Sequence, residues 1–515
     1  MVPSVQEVLT LVKLCWSGAK SHRPRRVIPF RRLPTHLPDT GLGRFALTIN
    51  ESESMSRKTK RKAKVTTSLP PGLESINLNA AAIDIGSTEH YVAVPPDRSE
   101  PAVRSFGSDT AALHEMARWL KECGITTIAL ESTGSYWIAP YQILEASGFE
   151  VVLVNSRHVK NLPGRKTDVL DCQWLQKLHT HGLLSGSFRP EDKVCVLRSY
   201  LRHRENLVRA GSAHIQHMQK ALTEMNLSLH QVLSDLTGVS ALAIIRAILA
   251  GERDPWKLAA LKDNRVKKSN EEIARCLEGD YRREHLFALG QALELYEFYQ
   301  GKIAQCDREI EGQLHQFEAR IDVAQHPLPE KPQKRTLKAQ GDFELKNHLY
   351  AICGVDLTRI DGLEVLSVQA LLSEIGLDMT RWKSEKHFAS WLNLSPARRI
   401  SGGKPLARKP HRGHNRAADI LRLCAQSALK SKSALGAFGR RLKARLDAPT
   451  AIKAVAHKLA RIVYRMLKYG NQYCDAGERY YENKYQNHLI RRLQKQAAAF
   501  GFQLAPRQST VTTVS

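Results

Sequence analysis

Ala80-Ala81-Ala82-Ile83-Asp84-Ile85-Gly86 is a short apolar run that ends in a turn and carries one carboxylate inside it. A second run, Tyr91-Val92-Ala93-Val94, follows across Ser87-Thr88-Glu89-His90, and the pair predicts a hairpin. Outward from it, residues 111–123 have helical periodicity and are closed by Gly124. Residues 126–130 (Thr-Thr-Ile-Ala-Leu) are a β-branched strand, 136–147 a helix closed by Gly148, and 150–154 (Glu-Val-Val-Leu-Val) another strand. Strands alternating with helices predict an α/β layer sandwich with a largely covered sheet.

Strand signals vanish from about residue 190 to 317. Leu197, Leu201, Leu207, Ile215, Met218 and Leu222 follow helical spacing, as do Leu286, Leu289, Leu293, Tyr296, Tyr299 and Ile303. Long helices are predicted, a helical hairpin or coiled coil, with a softer insert at 251–270. The stripes read as core or pairing seam. Pro327, Pro329 and Pro332 mark a linker. The predicted division is therefore 1–77, a basic, disordered extension; 78–189, the α/β domain; 190–322, helical; 323–344, linker; 345–470, a compact helical domain; and 471–515, a basic helical tail.

The 515 residues carry 77 Lys and Arg against 51 Asp and Glu, a formal charge of +26. That balance argues for a polyanionic partner, DNA or RNA. A hydrophobic content of 42% excludes a wholly disordered basic protein. No stretch approaches the roughly twenty apolar residues of a membrane span, so no membrane association is expected. The nine cysteines show no CxxC pair, which predicts reduced thiols in a cytosol-like compartment and no structural zinc site. Residues 1–64 hold 14 Lys and Arg against 4 Asp and Glu, ending in the tract 57–64. This segment reads either as a solvated nucleic-acid arm or as sequence upstream of a true start at Met55.

Two constellations carry chemistry. Asp84 lies inside an apolar strand, where an ionised carboxylate needs a cation or hydrogen bonds. Glu131 ends the 126–130 strand. Asp168 and Asp171 sit three apart at a predicted helix opening, on one helical face. Together they can form the oxygen-rich cage that Mg²⁺ (or Mn²⁺) prefers. The plainer alternative makes Asp84 a turn cap and Asp168 a helix cap. The second constellation is Ser401-Gly402-Gly403-Lys404, followed by Arg408, Lys409, Arg412 and Arg416 with no acid among them. The glycines let a phosphate approach main-chain N–H groups, and the cations can stabilise charge while the serine attacks phosphorus. The alternative is a basic loop that touches backbone phosphates, with the serine as a turn residue.

These residues resemble the RuvC-like branch of the RNase H fold. More closely, the chain resembles the DEDD transposases and invertases of bacterial insertion sequences, the family that includes the Piv invertase and the bridge-RNA-guided recombinases. The likeness covers most of residues 78–470. The family's D-E-D-D order falls on Asp84, Glu131, Asp168 and Asp171, within Ala82-Ile-Asp-Ile-Gly86, Leu130-Glu-Ser-Thr-Gly-Ser-Tyr-Trp137 and Lys166-Thr-Asp168-Val-Leu-Asp171. The resemblance implies a RuvC-like domain, a helical middle, and an all-α transposase domain in which Ser401 attacks the scissile phosphate. Many members have two adjacent serines, whereas here Ile400 precedes Ser401, and Ser395 is the weaker competitor. Residues 357–376 resemble the family's helix-hairpin-helix segment, with Gly362 at the turn.

The implied activity is DNA transposition or recombination with DNA and a structured guide RNA as partners, in a bacterial cytoplasm and associated with the nucleoid. Acids and serine lie far apart in sequence, so a composite site must unite them, and the long helices suggest a dimer or tetramer. The competing classes are a junction-resolvase-like metal nuclease using only the acids and an inactive nucleic-acid-binding relative. An actin- or sugar-kinase-type ATP enzyme is disfavoured because its second phosphate loop is missing.

Overall fold

The computed structural model describes residues 74–155, 168–328, 344–396, 400–402, 404–405 and 415–505. They form two compact units that divide between Arg189 and Pro190.

The first unit is a five-stranded sheet with helices on its faces. Its elements are β1 (Ala80–Ile85), β2 (Glu89–Ala93), β3 (Val103–Gly107), α1 (Thr110–Glu122), β4 (Thr127–Glu131), α2 (Ile138–Ala146), β5 (Glu150–Val154) and α3 (Asp168–Thr180). The strand order is β3-β2-β1-β4-β5. β1 pairs antiparallel with β2 and parallel with β4, and β4 pairs parallel with β5. The predicted hairpin and later strands are present. β3 was not foreseen, because Phe106 is its one buried residue and Arg104 and Ser105 face solvent. The predicted extension reached residue 77, yet Ile76 and Asn77 donate backbone bonds to Thr180 O at 2.9 Å, so order begins within it. Residues 1–73 lie outside the described residues.

The second unit is helical apart from one small ribbon. α4 (Asp192–Glu224) is followed by the short helices α5 (Leu229–Val232), α6 (Val239–Leu249), α7 (Pro255–Ala260) and α8 (Asn270–Arg275), then by α9 (Arg283–Leu314). α4 and α9 run antiparallel. Gln313 Nε2 donates to Lys193 O at 3.1 Å near one end, and Gly211 meets Tyr299 further along. The expected soft insert at 251–270 is part of a packed cap spanning 229–277, to which it contributes Leu258 and Ala259. Ile244, Ile245, Leu258, Ile273 and Leu277 are fully buried with Leu222 and Leu289 of the long helices. Its elements are four to eleven residues long, too short to show clear periodicity, and their caps (Asp254, and Ser269 with Glu272) set their ends.

The C-terminal part holds α10 (Leu345–Cys353), α11 (Val365–Ile375), α12 (Glu385–Trp391), the ribbon β6 (Ile400–Ser401) and β7 (Lys404–Pro405), α13 (Arg416–Ala428), α14 (Ala434–Lys443), α15 (Ala448–Tyr469) and α16 (Gly477–Ala499). Tyr464 anchors it, fully buried, with its hydroxyl donating to Trp382 O at 2.8 Å. The helix-hairpin-helix expected at 357–376 is instead a single 3-10 turn, Leu357–Arg359, leading through Gly362 into α11. Gly362 has φ +92°, and a Cβ there would lie 2.4 Å from Cys424 O. Its backbone packs directly against α13 at this turn. Most of the expected linker, residues 329–343, lies outside the described residues.

Candidate active site

The alternation of β1 decides where Asp84 faces. Ala81, Ile83 and Ile85 pack into the core under α1 and α2, with Leu113, Leu120 and Leu144. Ala82 lies on the opposite face with Ala129, Val154 and Leu175 of α3. Asp84, two residues past Ala82, therefore belongs to the α3 face, and Glu131, two past Ala129, belongs there too. The parallel register pairs Ile83 with Leu130. One step further, Asp84 stands beside Glu131 on neighbouring strands about 4.8 Å apart. Glu131 is 7% exposed, and its Oε1 accepts from Thr133 Oγ1 at 3.4 Å.

Small residues let α3 approach this face. Ala80, Ala82 and Ala129 are fully buried, and no large side chain holds the helix away. The Cys172 thiol donates to Ala82 O at 3.2 Å and to Tyr91 O at 3.0 Å. One turn on, Gln176 Nε2 donates to Ala80 O at 3.1 Å, and beyond it His179 Nε2 and Thr127 Oγ1 share a bond of 3.0 Å. This ladder fixes the helix across the central strands at the level of Asp84. Asp171, the residue before Cys172, is half-buried. Burial pushes the Cys172 thiol well above its usual range, and the charges of Asp84 and Asp171 push it further, so it stays protonated. Burial alone lowers His179 to about 4. Residue 168 opens α3 one turn before Cys172; its side chain lies outside the described residues.

Three of the four sequence-predicted acids are thus brought to one face of one sheet. The donor set is all oxygen, and two adjacent carboxylates on a mostly buried surface repel each other unless a cation answers them. These residues fit Mg²⁺ or Mn²⁺, which take hard oxygen ligands. Cys172, Gln176 and His179 were not foreseen as positioning residues. The signal was available in their i, i+4, i+7 spacing from Cys172, which marks the buried stripe of α3.

Ser401 ends β6 directly before a two-residue turn, and the register sets it opposite Lys404. Gly402 has φ +56°, as the first turn position of a tight hairpin requires. The side chains of Ser401 and Lys404, and all of Gly403, Arg408, Lys409 and Arg412, lie outside the described residues. Ser395 is half-buried just after Leu394. Arg416, expected to meet nucleic acid, opens α13 and is held by carboxylates: it pairs with Glu205 of α4 and, at 3.2 Å, with Glu374 of α11. Glu374 also receives Arg202 at 2.9 Å, while Arg198 donates to Ser373 O at 2.9 Å. This knot of three arginines on one carboxylate ties the helical pair to the base of the serine-bearing segment. Sequence reading missed it, since its members lie up to 218 positions apart.

A mixed sheet of this order, with helices on its faces and acids on β1 and β4, fits an RNase H-like fold. Residues 81–227 match the DEDD transposase model of the IS110 type, and residues 341–440 match the transposase IS116/IS110/IS902 family. The chain belongs to this family of insertion-sequence transposases. The acids fall in the first matched segment and Ser401 in the second. A search of curated proteins finds no match. Among the described residues, no helix is long and apolar enough to cross a membrane.

Proposed function

We propose that the protein is a DNA recombinase in which Ser401 cuts and the acid face assists. The observation that carries this reading is the shared register of Asp84 and Glu131 on the face covered by the helix of Asp171. Such a face serves phosphoryl transfer and has no other evident use in a chain of net charge +26. The Ser401 hydroxyl attacks the scissile phosphorus, forming a phosphoserine ester as the bond to the deoxyribose oxygen breaks. That oxygen takes up a proton as the serine gives one up. Asp84, Glu131, Asp168 and Asp171 would hold divalent metal, whose charge stabilises the phosphoryl group in transfer. Lys404, Arg408, Lys409 and Arg412 hold the flanking phosphates, and Gly402 and Gly403 open the backbone to them. A hydroxyl from the second strand reverses the ester and joins the new strands. A structured RNA supplies target choice, in keeping with the net charge of +26. Two or four copies assemble through the long helices.

The test is strand cleavage by Asp84→Asn and Glu131→Gln. Both remove charge and keep volume, so the fold should persist while cleavage falls about 10³-fold or more. EDTA should stop the wild type, and Mg²⁺ or Mn²⁺ should restore it. Full cleavage in chelator would overturn the reading.

A further inference from the structure

A second cluster of ligand-type side chains lies within the helical unit. Glu311, in the last turn of α9, and His315, one turn further on, are spaced i, i+4 on one helical face. His348 of α10 faces them. The three ligand atoms lie within 4.8 Å of one another, and the two imidazoles meet edge to face with centroids 4.5 Å apart. α10 repeats the pattern: Glu344 precedes His348 by four, and its charge acts on that imidazole. Its carboxylate is steadied by Asn347 Nδ2 at 3.3 Å. Each helix end therefore carries one Glu-x-x-x-His pair, and three of the four side chains lie together.

We propose that this cluster binds a transition-metal dication, Zn²⁺ by preference, through Glu311, His315 and His348, with Glu344 or water as fourth ligand. Tetrahedral zinc at about 2.0–2.1 Å from its ligands sets them about 3.3 Å apart, so side-chain adjustments of about 1 Å close the site. The framework is already in place. Arg320 N donates to Ala351 O at 2.8 Å, and Lys193 Nζ to Gln316 O at 3.2 Å, docking the end of α9 against α10 and the start of α4. Two imidazoles select zinc, cobalt or nickel over Mg²⁺, which keeps oxygen ligands. The ion would bridge the residues on either side of 329–343 and lock the long helical pair to the first helix of the serine-bearing segment. No cysteine takes part, which is why cysteine spacing gave no hint of it.

The test uses the full chain, stripped with chelator, in a Cys474→Ser background, because an exposed thiol is itself a ligand of the kind zinc takes and would confuse the count. Titration runs with Zn²⁺ and with Co²⁺ as the absorbing probe, in excess Mg²⁺ to occupy the acid face. One ion per chain is expected, with the strong visible bands of tetrahedral cobalt. His315→Ala and His348→Ala should each weaken binding about a hundredfold, and Glu311→Gln about tenfold. His326→Ala, exposed and outside the cluster, should bind as the parent. Should an alanine variant misfold by circular dichroism, Glu311→Gln and His348→Asn carry the same comparison. Unchanged affinity in the folded ligand variants, or no Zn²⁺ binding by the parent, overturns the site. Neither outcome touches the acid face, whose test reads cleavage in Mg²⁺.

Discussion

The acid face and the serine ribbon hold the residues proposed for catalysis in opposite ways. Asp84 stands on β1, the central strand of a five-stranded sheet, and Glu131 on its neighbour β4, with α3 bolted across them through Cys172, Gln176 and His179. Ser401 stands on a strand of two residues, held by two register pairs and a tight turn. Cation binding requires several oxygens at fixed separations, which a sheet ladder supplies. A nucleophile needs one oxygen brought to one phosphorus, and a short ribbon suffices. A disturbance of the acid face should therefore act through geometry and stability. On the ribbon, only the hydroxyl itself should be indispensable.

The largest expected effect follows. Ser401→Ala should reduce strand exchange about 10⁴-fold or more while leaving nucleic-acid affinity unchanged, since the hydroxyl acts only in the chemical step. Wild type on a nicked substrate should carry a denaturation-resistant DNA link that peptide mass assigns to residue 401. Full exchange by Ser401→Ala would leave the acids as the whole catalytic apparatus, and a link at Ser395 would move the nucleophile.

This contrast also explains what could be read from the sequence. β1, β4 and β5 are apolar on both faces, and their runs stand out; α1 and α2 end at Gly124 and Gly148, both at positive φ. The order of the acids was legible because a carboxylate in an apolar strand is conspicuous. That Asp84 and Glu131 share a register was not, since register depends on which strands pair. β3 was hidden by its exposed Arg104 and Ser105, and the cap between α4 and α9 by the shortness of its helices. Glu374 and its arginines come from three separate helices, so no local pattern announces them.

The next effect tests the bolt on α3. His179 is buried and neutral, with its pKa near 4 in the folded unit against 6.5 in the open chain. The unfolded state therefore binds the proton first. This contribution is fully present above about pH 6.5 and is lost as pH falls towards 4. At pH 5 the loss is about 2 kcal/mol. Pulse proteolysis in urea should show the first unit losing that much between pH 7 and pH 5, and His179→Gln should flatten the difference. Equal slopes in both proteins would free His179 of that role.

A comparable but smaller loss is expected where the ribbon's segment is tied down. Glu374→Gln leaves Arg198, Arg202 and Arg416 around an uncharged amide. The Arg198 bonds to main-chain carbonyls survive, and the Glu374 side chain is 11% exposed. The cost should be about 1–2 kcal/mol in thermal or urea stability of the second unit. Strand exchange should fall only in proportion to the folded fraction. A fall of several hundredfold with intact stability would instead make this carboxylate a positioning residue for the serine.

The smallest effect comes from the turn itself, and a second glycine calibrates it. Gly362 and Gly402 both have positive φ, but a Cβ at 362 would collide with Cys424 O, whereas one at 402 meets nothing within 4 Å among the described residues. Gly402→Ala should then cost only the backbone penalty, about 1 kcal/mol, and Gly402→Asn less, because asparagine tolerates the left-handed region. Strand exchange by Gly402→Asn should stay within about tenfold of wild type, because asparagine keeps both the positive φ and the main-chain N–H that the flanking phosphates meet. Gly362→Ala should destabilise the second unit far more. The informative failure is a Gly402→Asn protein that folds and binds but has lost exchange. A side chain at 402 would then be blocking something that approaches only when DNA is in place. A scissile phosphate pressed against the turn N–H groups is the group that fits such a block. Ser401 would then owe its reactivity to the backbone of its own hairpin as much as to the arginines beyond it.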